Sequence, residues 1–387
     1  MTVYADNAAT TRLSDTALKA MMPYMQEVYG NPSSLHSVGQ AAAEALYEAR
    51  RAVAECIGAD FGEIYFTSGG SEADNQAIVS AAMEGKAKGK THIVSTAFEH
   101  HAVLHTLKKL EKEGFSVTYL DVHENGLVTA DEVRNAITDN TALVTIMYAN
   151  NEIGTIEPIA EIGAVCREKG VLFHTDAVQA VGHIAINVKE QNIDMMSASA
   201  HKFHGPKGVG FLYAKKGIRL HNIIEGGAQE RGLRAGTENL AGAVGLAAAL
   251  QENCEGLAEH VARIGALRDA FTDGVLASCE NVLPTGPRGG ARRLPSIASF
   301  ICRDVDSELL VMLLDRAGVA AAAGSACSTG STAPSHVISA LGVNDPAWAH
   351  GSVRFSLADD VTEADIELLL ERVPACIRRA RAISCMR

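Results

Sequence analysis

Between about residues 60 and 215 the chain alternates short apolar, β-prone runs with longer helix-like segments, a pattern that restricts it to an open, mostly parallel α/β sheet flanked by helices. The runs at 63–66, 92–95, 117–120, 143–147, 171–174 and 210–213 read as strands. Polar or glycine-rich residues follow them at 67–71, 97–100, 148–152 and 175–177. In such sheets ligands collect beyond the carboxyl ends of the strands, so these loops are expected to share one rim.

Beyond this region an Ala/Leu-rich helical stretch runs from about 237 to 280, followed by a strand-like run at 296–301. Helices near 306–317 and 334–341, a strand at 353–356 and a terminal helical pair complete the chain, which reads as a smaller α+β domain. A length of 387 residues exceeds what one core usually serves. The expected division is a large α/β domain over 13–260 and a small α+β domain formed by 1–12 with 261–387. The Pro/Gly-rich stretch 284–290 is expected to be a surface loop within that second domain.

Composition excludes several classes of function. A formal charge of −12 disfavours nucleic acid as the main partner, since such binders need a clustered basic footprint. The dense basic run Arg378-Arg379-Ala380-Arg381 is expected to cap the last helix, where cations meet the negative end of the dipole. No apolar stretch reaches membrane-spanning length and the first residues carry no signal-peptide pattern, so a cytoplasmic protein is expected. The eight cysteines form no C-x-x-C pair, and neither a metal site nor a disulfide framework is indicated.

Within this frame some residues stand out chemically. Lys202 lies at the end of an apolar strand in Ser197-Ala198-Ser199-Ala200-His201-Lys202, where burial can lower an amine's pKa toward Schiff-base use. Asp176 ends the run 171–175, and a carboxylate there needs a positive partner unless it serves as an ordinary helix N-cap. The Thr67-Ser68-Gly69-Gly70-Ser71-Glu72 turn leads into a helix and can aim free N–H groups at a phosphate. His100 and His101 follow a strand and can stack on an aromatic ring or simply sit at the surface. Cys327 occupies a Gly/Ser/Ala-rich segment unsuited to burying a thiol, in contrast to Cys56, Cys166 and Cys302 in apolar settings. Arg354, inside the strand-like run 352–357, calls for a carboxylate, either an aspartate of the chain or a substrate α-carboxylate.

These residues, together with Asp6-Asn7-Ala8-Ala9-Thr10-Thr11, Gly30-Asn31-Pro32-Ser33-Ser34, Asn150-Asn151-Glu152-Ile153-Gly154, Gly205-Pro206-Lys207-Gly208, Gly226-Gly227-Ala228-Gln229-Glu230-Arg231-Gly232, Arg234-Ala235-Gly236-Thr237 and Gly324-Ser325-Ala326-Cys327, occur in one order along nearly the whole chain. The chain thereby resembles the pyridoxal-phosphate-dependent cysteine desulfurases of the NifS/IscS type, which are fold-type I enzymes of aminotransferase class V.

The resemblance implies that Lys202 holds pyridoxal 5'-phosphate, Asp176 faces the pyridine nitrogen, Gln179 bonds the phenolic oxygen and His100 stacks on the ring. Gly70, Ser71, Ser199 and His201 would surround the phosphate, and Thr237 would serve the neighbouring subunit's site in a homodimer. Asn31, Asn151 and Arg354 would fix the carboxylate of L-cysteine, with Asn151 also near the cofactor. Cys327 would accept the sulfur as a persulfide and pass it to an acceptor protein, such as an iron–sulfur scaffold or a tRNA-thiolation enzyme. The Gly-Ser-Ala-Cys setting favours cysteine over selenocysteine. A selenocysteine lyase, another class V enzyme and a catalytically silent partner-binding homologue are the alternatives. The residues after Cys327 depart from the family's usual continuation, and the short stretch after the last helix puts scaffold docking in doubt.

Overall fold

The computed structural model describes residues 2–324 and 334–384. In chain order its strands are β1 (Val3–Tyr4), β2 (Ile64–Thr67), β3 (His92–Thr96), β4 (Ser116–Leu120), β5 (Thr141–Thr145), β6 (Leu172–Asp176), β7 (Met195–Ser199) and β8 (Gly210–Ala214). They continue as β9 (Val282–Pro284), β10 (Ile297–Cys302), β11 (Val319–Ala320), β12 (Ala322–Ala323) and β13 (Ser352–Ser356).

Seven of these form one sheet in the order β2-β8-β7-β6-β5-β3-β4. All its pairings are parallel except the two made by β8, so the alternation read in the sequence yields a sheet with a single reversed strand. Strand β7, which leads to Lys202, contains only Met, Ser and Ala and has no β-branched residue to announce it. Pairing on both sides with β6 and β8 makes it a strand, and every one of its residues is buried. The carboxyl ends of β2, β3, β5, β6 and β7 therefore lie along one edge, and the loops after them form the expected rim.

Apolar clusters cover the faces of this sheet, one containing Ile57, Phe66, Phe173, Phe203 and Leu246 and the other Ile78, Ile93, Leu107 and Leu143. A separate cluster joins Val3 and Ala5 to Phe271, Phe300, Phe355 and Leu369 around the four-stranded sheet β12-β13-β10-β9. Its three phenylalanine rings meet edge-on at centroid distances of 5.1, 6.0 and 6.2 Å, an arrangement worth about 0.5–1.5 kcal/mol per pair beyond simple burial.

The N-terminal segment ties the two sheets together. Strand β1 pairs with β11, Asn7 N donates to Ser356 O at 3.3 Å, and Thr11 N donates to His201 O at 2.9 Å. Residues 6–11 thus cross from the second sheet to the loop carrying Lys202.

Several local expectations shift. The helical stretch predicted over 237–280 divides into Leu240–Cys254 and Leu257–Ser278, because Gly256 adopts φ +69° between them. The predicted terminal pair is one helix, Glu363–Ser384, in which the burial of Leu369, Val373 and Ile377 outweighs the cost of Pro374. Arg381 lies in the last turn of that helix, as expected, and its side chain donates to the carbonyls of Arg303 and Asn281 at 2.9 and 3.1 Å. In the loop 284–290, Pro284 belongs to β9 and Thr285 is buried, its hydroxyl bonded to Ser299 Oγ at 2.7 Å.

Candidate active site

The rim begins at the turn after β2. Gly69 adopts φ +155° and ψ −177°, a conformation essentially closed to residues with a Cβ, and the Thr67 hydroxyl donates to Gly69 O at 3.0 Å. The chain then enters the helix Gly70–Ala87, whose first N–H groups carry the positive end of the helix dipole. A cavity of about 350 Å³ at this helix end is lined by Gly69, Gly70, Ser71, Ser199, His201 and Lys207, among others. The four residues predicted to surround a phosphate therefore share one cavity, and Lys207 adds a cation to which the sequence reading gave no role. Gly70 leaves no room for a side chain, since a methyl group there would lie 2.5 Å from Val178 Cγ2. Burial and the nearby Lys202 and Lys207 hold His201 down at about 4, so its imidazole is neutral at physiological pH.

Beside this cradle lie buried acids. Asp176, the last residue of β6, accepts Val178 N at Oδ1 over 2.9 Å, and no helix starts there, so it is not an N-cap. Burial raises its pKa, opposed by the nearby His100 and Lys202. Asp74, on the helix Gly70–Ala87, is 1 % exposed and is raised still further by burial and by Asp176. Its Oδ1 has no hydrogen-bond partner among the described residues and lies 3.7 Å from His174 Nε2. His174 cannot neutralise it, because burial depresses that imidazole to about 3 and its nitrogens already engage Thr145 Oγ1 and Ser197 Oγ at 2.8 and 3.0 Å. Ligand atoms of Asp74, His100 and Asp176 all lie within 4.8 Å of one another. His100 caps the helix His101–Lys112 by accepting Ala102 N at Nδ1, 3.2 Å away, so its ring is fixed over the same site.

Lys202 ends the short 3-10 turn Ala200–Lys202 directly after β7. Its Nζ donates to Ala8 O at 2.7 Å and Ala9 O at 2.9 Å, and Gln179 Nε2 donates to the same Ala8 carbonyl at 2.9 Å. The amine and the amide expected at adjacent functional groups of one ring, the Schiff-base carbon and the phenolic oxygen, thus converge on a single backbone oxygen of the N-terminal segment.

On the other side of the site Arg354, in β13, takes up the first alternative left open by the sequence, an aspartate of the chain. Its NH2 donates to Asp6 Oδ1 at 2.9 Å and its NH1 to Asn151 O at 2.7 Å. Its buried Nε has no hydrogen-bond partner among the described residues. Asn151 is half-buried beside it, whereas Asn31 is exposed and closes its own turn by accepting Ser33 N at 2.9 Å. Thr237 is exposed, after a loop anchored by the buried pair of Arg50 with Glu230, two 2.7 Å contacts. That pair offsets the left-handed backbone of Glu230 and Arg231, each costing about 1–3 kcal/mol. Cys327 lies outside the described residues.

The donor set fits pyridoxal phosphate: an anion cradle at a helix N-terminus, a primary amine, and a buried aspartate lacking enough positive charge, which a protonated ring nitrogen would supply. A fold with a mostly parallel sheet, chemistry at its carboxyl edge and a second small sheet closing the site defines a class of enzymes. Residues 3–369 match the aminotransferase class-V family, to which this chain belongs. Among its relatives, the cysteine desulfurase IscS of Clostridium botulinum is 49% identical over 382 residues, covering 99% of this chain and 96% of that protein. A solved NifS-like protein is similar with a TM-score of 0.90 and 36% identity, covering 98% of this chain and all of that one. A structure described as SspA in complex with cysteine is similar with a TM-score of 0.80 and 35% identity, over 92% of this chain and 99% of that one.

Proposed function

We propose that the protein is a cysteine desulfurase, taking sulfur from L-cysteine to leave L-alanine and a persulfide on Cys327. The observation that carries this reading is the convergence of Lys202 and Gln179 on Ala8 O beside the buried Asp176 and the anion cradle. The desulfurase relatives, similar over nearly their whole length, supply the reaction.

In this reading Lys202 anchors pyridoxal phosphate, with Asp176 against the ring nitrogen, Gln179 at the phenolic oxygen and His100 on the ring face. Gly70, Ser71, Ser199 and His201 hold the phosphate, with Thr237 contributed from a second subunit. Bound there, the cofactor supplies a sink for the electron pair left when a bond at the substrate Cα is broken. Arg354, through its unpartnered Nε, grips the substrate carboxylate with Asn151 and Asn31. The Lys202 amine removes the Cα proton, and Asp176 stays ionised while the positive ring nitrogen faces it. The Cys327 thiolate attacks the substrate sulfur, so that one C–S bond breaks, one S–S bond forms and protons return to the carbon product and the solvent without any external oxidant. Burial and the neighbouring Asp176 raise the pKa of Asp74, which favours a proton on it beside the ionised Asp176.

The division into domains over 13–260 and over 1–12 with 261 onward is supported by the separate apolar cluster around Phe271, Phe300 and Phe355. A homodimer is supported by the exposed apolar side chains Met25, Tyr29, Leu35 and Val38 close to the Asn31 loop, Leu35 being 92% exposed. No helix among the described residues is long and apolar enough to cross a membrane, and we place the enzyme in the cytoplasm. Its sulfur goes to an acceptor protein, an iron–sulfur scaffold or a tRNA-thiolation enzyme.

The test is to follow alanine release and persulfide formation by mass spectrometry with cysteine as substrate. Persulfide on Cys327, with both signals lost in Cys327→Ala, is expected. Undiminished alanine release by Cys327→Ala without reductant would refute the reading.

A further inference from the structure

Cys327 lies in the sequence between Gly324 and Ser335, and the second of these meets a buried side chain. Glu152 is 6% exposed, and its Oε2 accepts the Ser335 hydroxyl at 2.6 Å. Ser335 is itself buried and caps the helix His336–Ala340, accepting Val337 N at 3.1 Å. On the other side of Cys327, a methyl group on Gly324 would lie 2.5 Å from Ser352 Oγ and 3.1 Å from the same Oε2, so this position has no room for a side chain. Gly324 follows β12, which pairs Ala322 with Arg354, and its N–H donates to Ser352 O at 3.3 Å.

Glu152 is fixed from behind as well. Its N–H donates to Asn150 Oδ1 at 2.8 Å, and Asn150 Nδ2 donates to Phe98 O at 3.0 Å, which locks the turn after β5. Burying a carboxylate is costly, and an apolar residue would fill this space at lower cost if filling were all that was required. Burial raises Glu152 to about 7, against the pull of Arg354. Among the described residues, the Ser335 hydroxyl and the nearby Arg354 guanidinium make the acid tolerable.

We propose that Glu152 is a positioning residue for sulfur transfer, its carboxylate fixing Ser335, at the end of the stretch that carries Cys327, close to Arg354. This rests on the reading of Cys327 as the sulfur acceptor. The side-chain hydrogen bond of Glu152 goes to Ser335, not to a residue assigned to the cofactor. Its effect falls on how the segment is presented, and hence on the rate at which Cys327 reaches the substrate sulfur, rather than on cofactor or cysteine binding.

The experiment uses the full-length, cofactor-loaded enzyme and compares Glu152→Ala, Glu152→Gln, Ser335→Ala and Cys327→Ala. Cofactor content and the cysteine-induced absorbance change report binding, and single-turnover mass spectrometry reports persulfide on Cys327. Glu152→Ala is expected to bind cofactor and cysteine as the parent does while forming persulfide at least about tenfold more slowly, a fall in kcat without a rise in KM. Glu152→Gln keeps an oxygen for the Ser335 hydroxyl and should recover to within about threefold of the parent. Ser335→Ala removes the same bond by deleting a single oxygen, and it decides the matter should Glu152→Ala fail to fold. Persulfide formation at the parent rate in both alanine variants, or a loss of cysteine binding that accounts for their slowing, would overturn the proposal. Persistent alanine release by Cys327→Ala would instead refute the underlying reading of the acceptor, and the proposal with it.

Discussion

The two sides of the site are built differently. The cofactor side hangs on the ends of almost wholly buried strands, where pairing of β6 with β7 sets Asp176 opposite Ser197 and pairing of β7 with β8 sets Ser199 opposite Gly210. The substrate side is assembled from pieces remote in sequence, with Arg354 bonded to Asp6 and Ser335 to Glu152. Where chemistry requires fixed geometry around a ring, backbone pairing supplies it. Where a substrate and a thiol have to meet, a few side-chain contacts do so, and a single substitution reaches further there.

The sharpest test of the cofactor side is Lys202→Ala, which removes both anchor and base. It should lower alanine release by about 10⁴-fold or more, and borohydride should no longer fix cofactor to the peptide containing residue 202. Asp176→Asn keeps the shape but removes the charge facing the ring. A fall of about 10²–10³-fold in kcat with nearly full cofactor occupancy is expected, and a loss of less than about threefold would show that Asp74 can stand in for it.

Gly69→Ala tests whether the cradle depends on backbone strain tolerated only by glycine. With φ at +155°, the substitution should cost about 1–3 kcal/mol in urea unfolding and weaken cofactor retention, whereas an unchanged midpoint would mean that the turn can relax.

The smallest effect concerns the buried acids of the cofactor side. Burial lifts Glu99 from 4.5 to about 8, despite bonds from the Thr96 hydroxyl and Met147 N. The folded chain therefore binds this proton more tightly than the unfolded chain does. The associated stability is present in full below pH 4.5 and is lost as pH rises through about 8. Cofactor-free protein should show a slope of at most about 1.4 kcal/mol per pH unit from this group across that window, and Glu99→Gln should flatten it. An identical slope in the variant would move the effect to Glu157 or Asp74, which burial raises as well.

Much of the cofactor side is legible in the sequence because it is local. Periodicity marks the strands other than β7, polar residues mark their ends, and Gly69-Gly70-Ser71 and His201-Lys202 announce an anion cradle and an amine within a few residues. Asp74 is the exception. It lies on a helix face that reads as ordinary, and only its packing against β6 and β7 reveals a buried carboxylate beside Asp176.

The substrate side is far less legible. No spacing pairs Arg354 with Asp6, 348 residues away, or Ser335 with Glu152, 183 residues away. Nor does any side chain mark the carbonyls of Ala8 and Ala9 that hold Lys202, since every residue carries such an oxygen. The sequence by itself determined the alternating α/β architecture, the rim and the chemical types present there, because these depend on periodicity and on neighbours along the chain. The tertiary structure alone decided which groups meet, because burial, pairing across distant segments and the resulting pKa shifts arise only when two sheets and an N-terminal strap close around one volume.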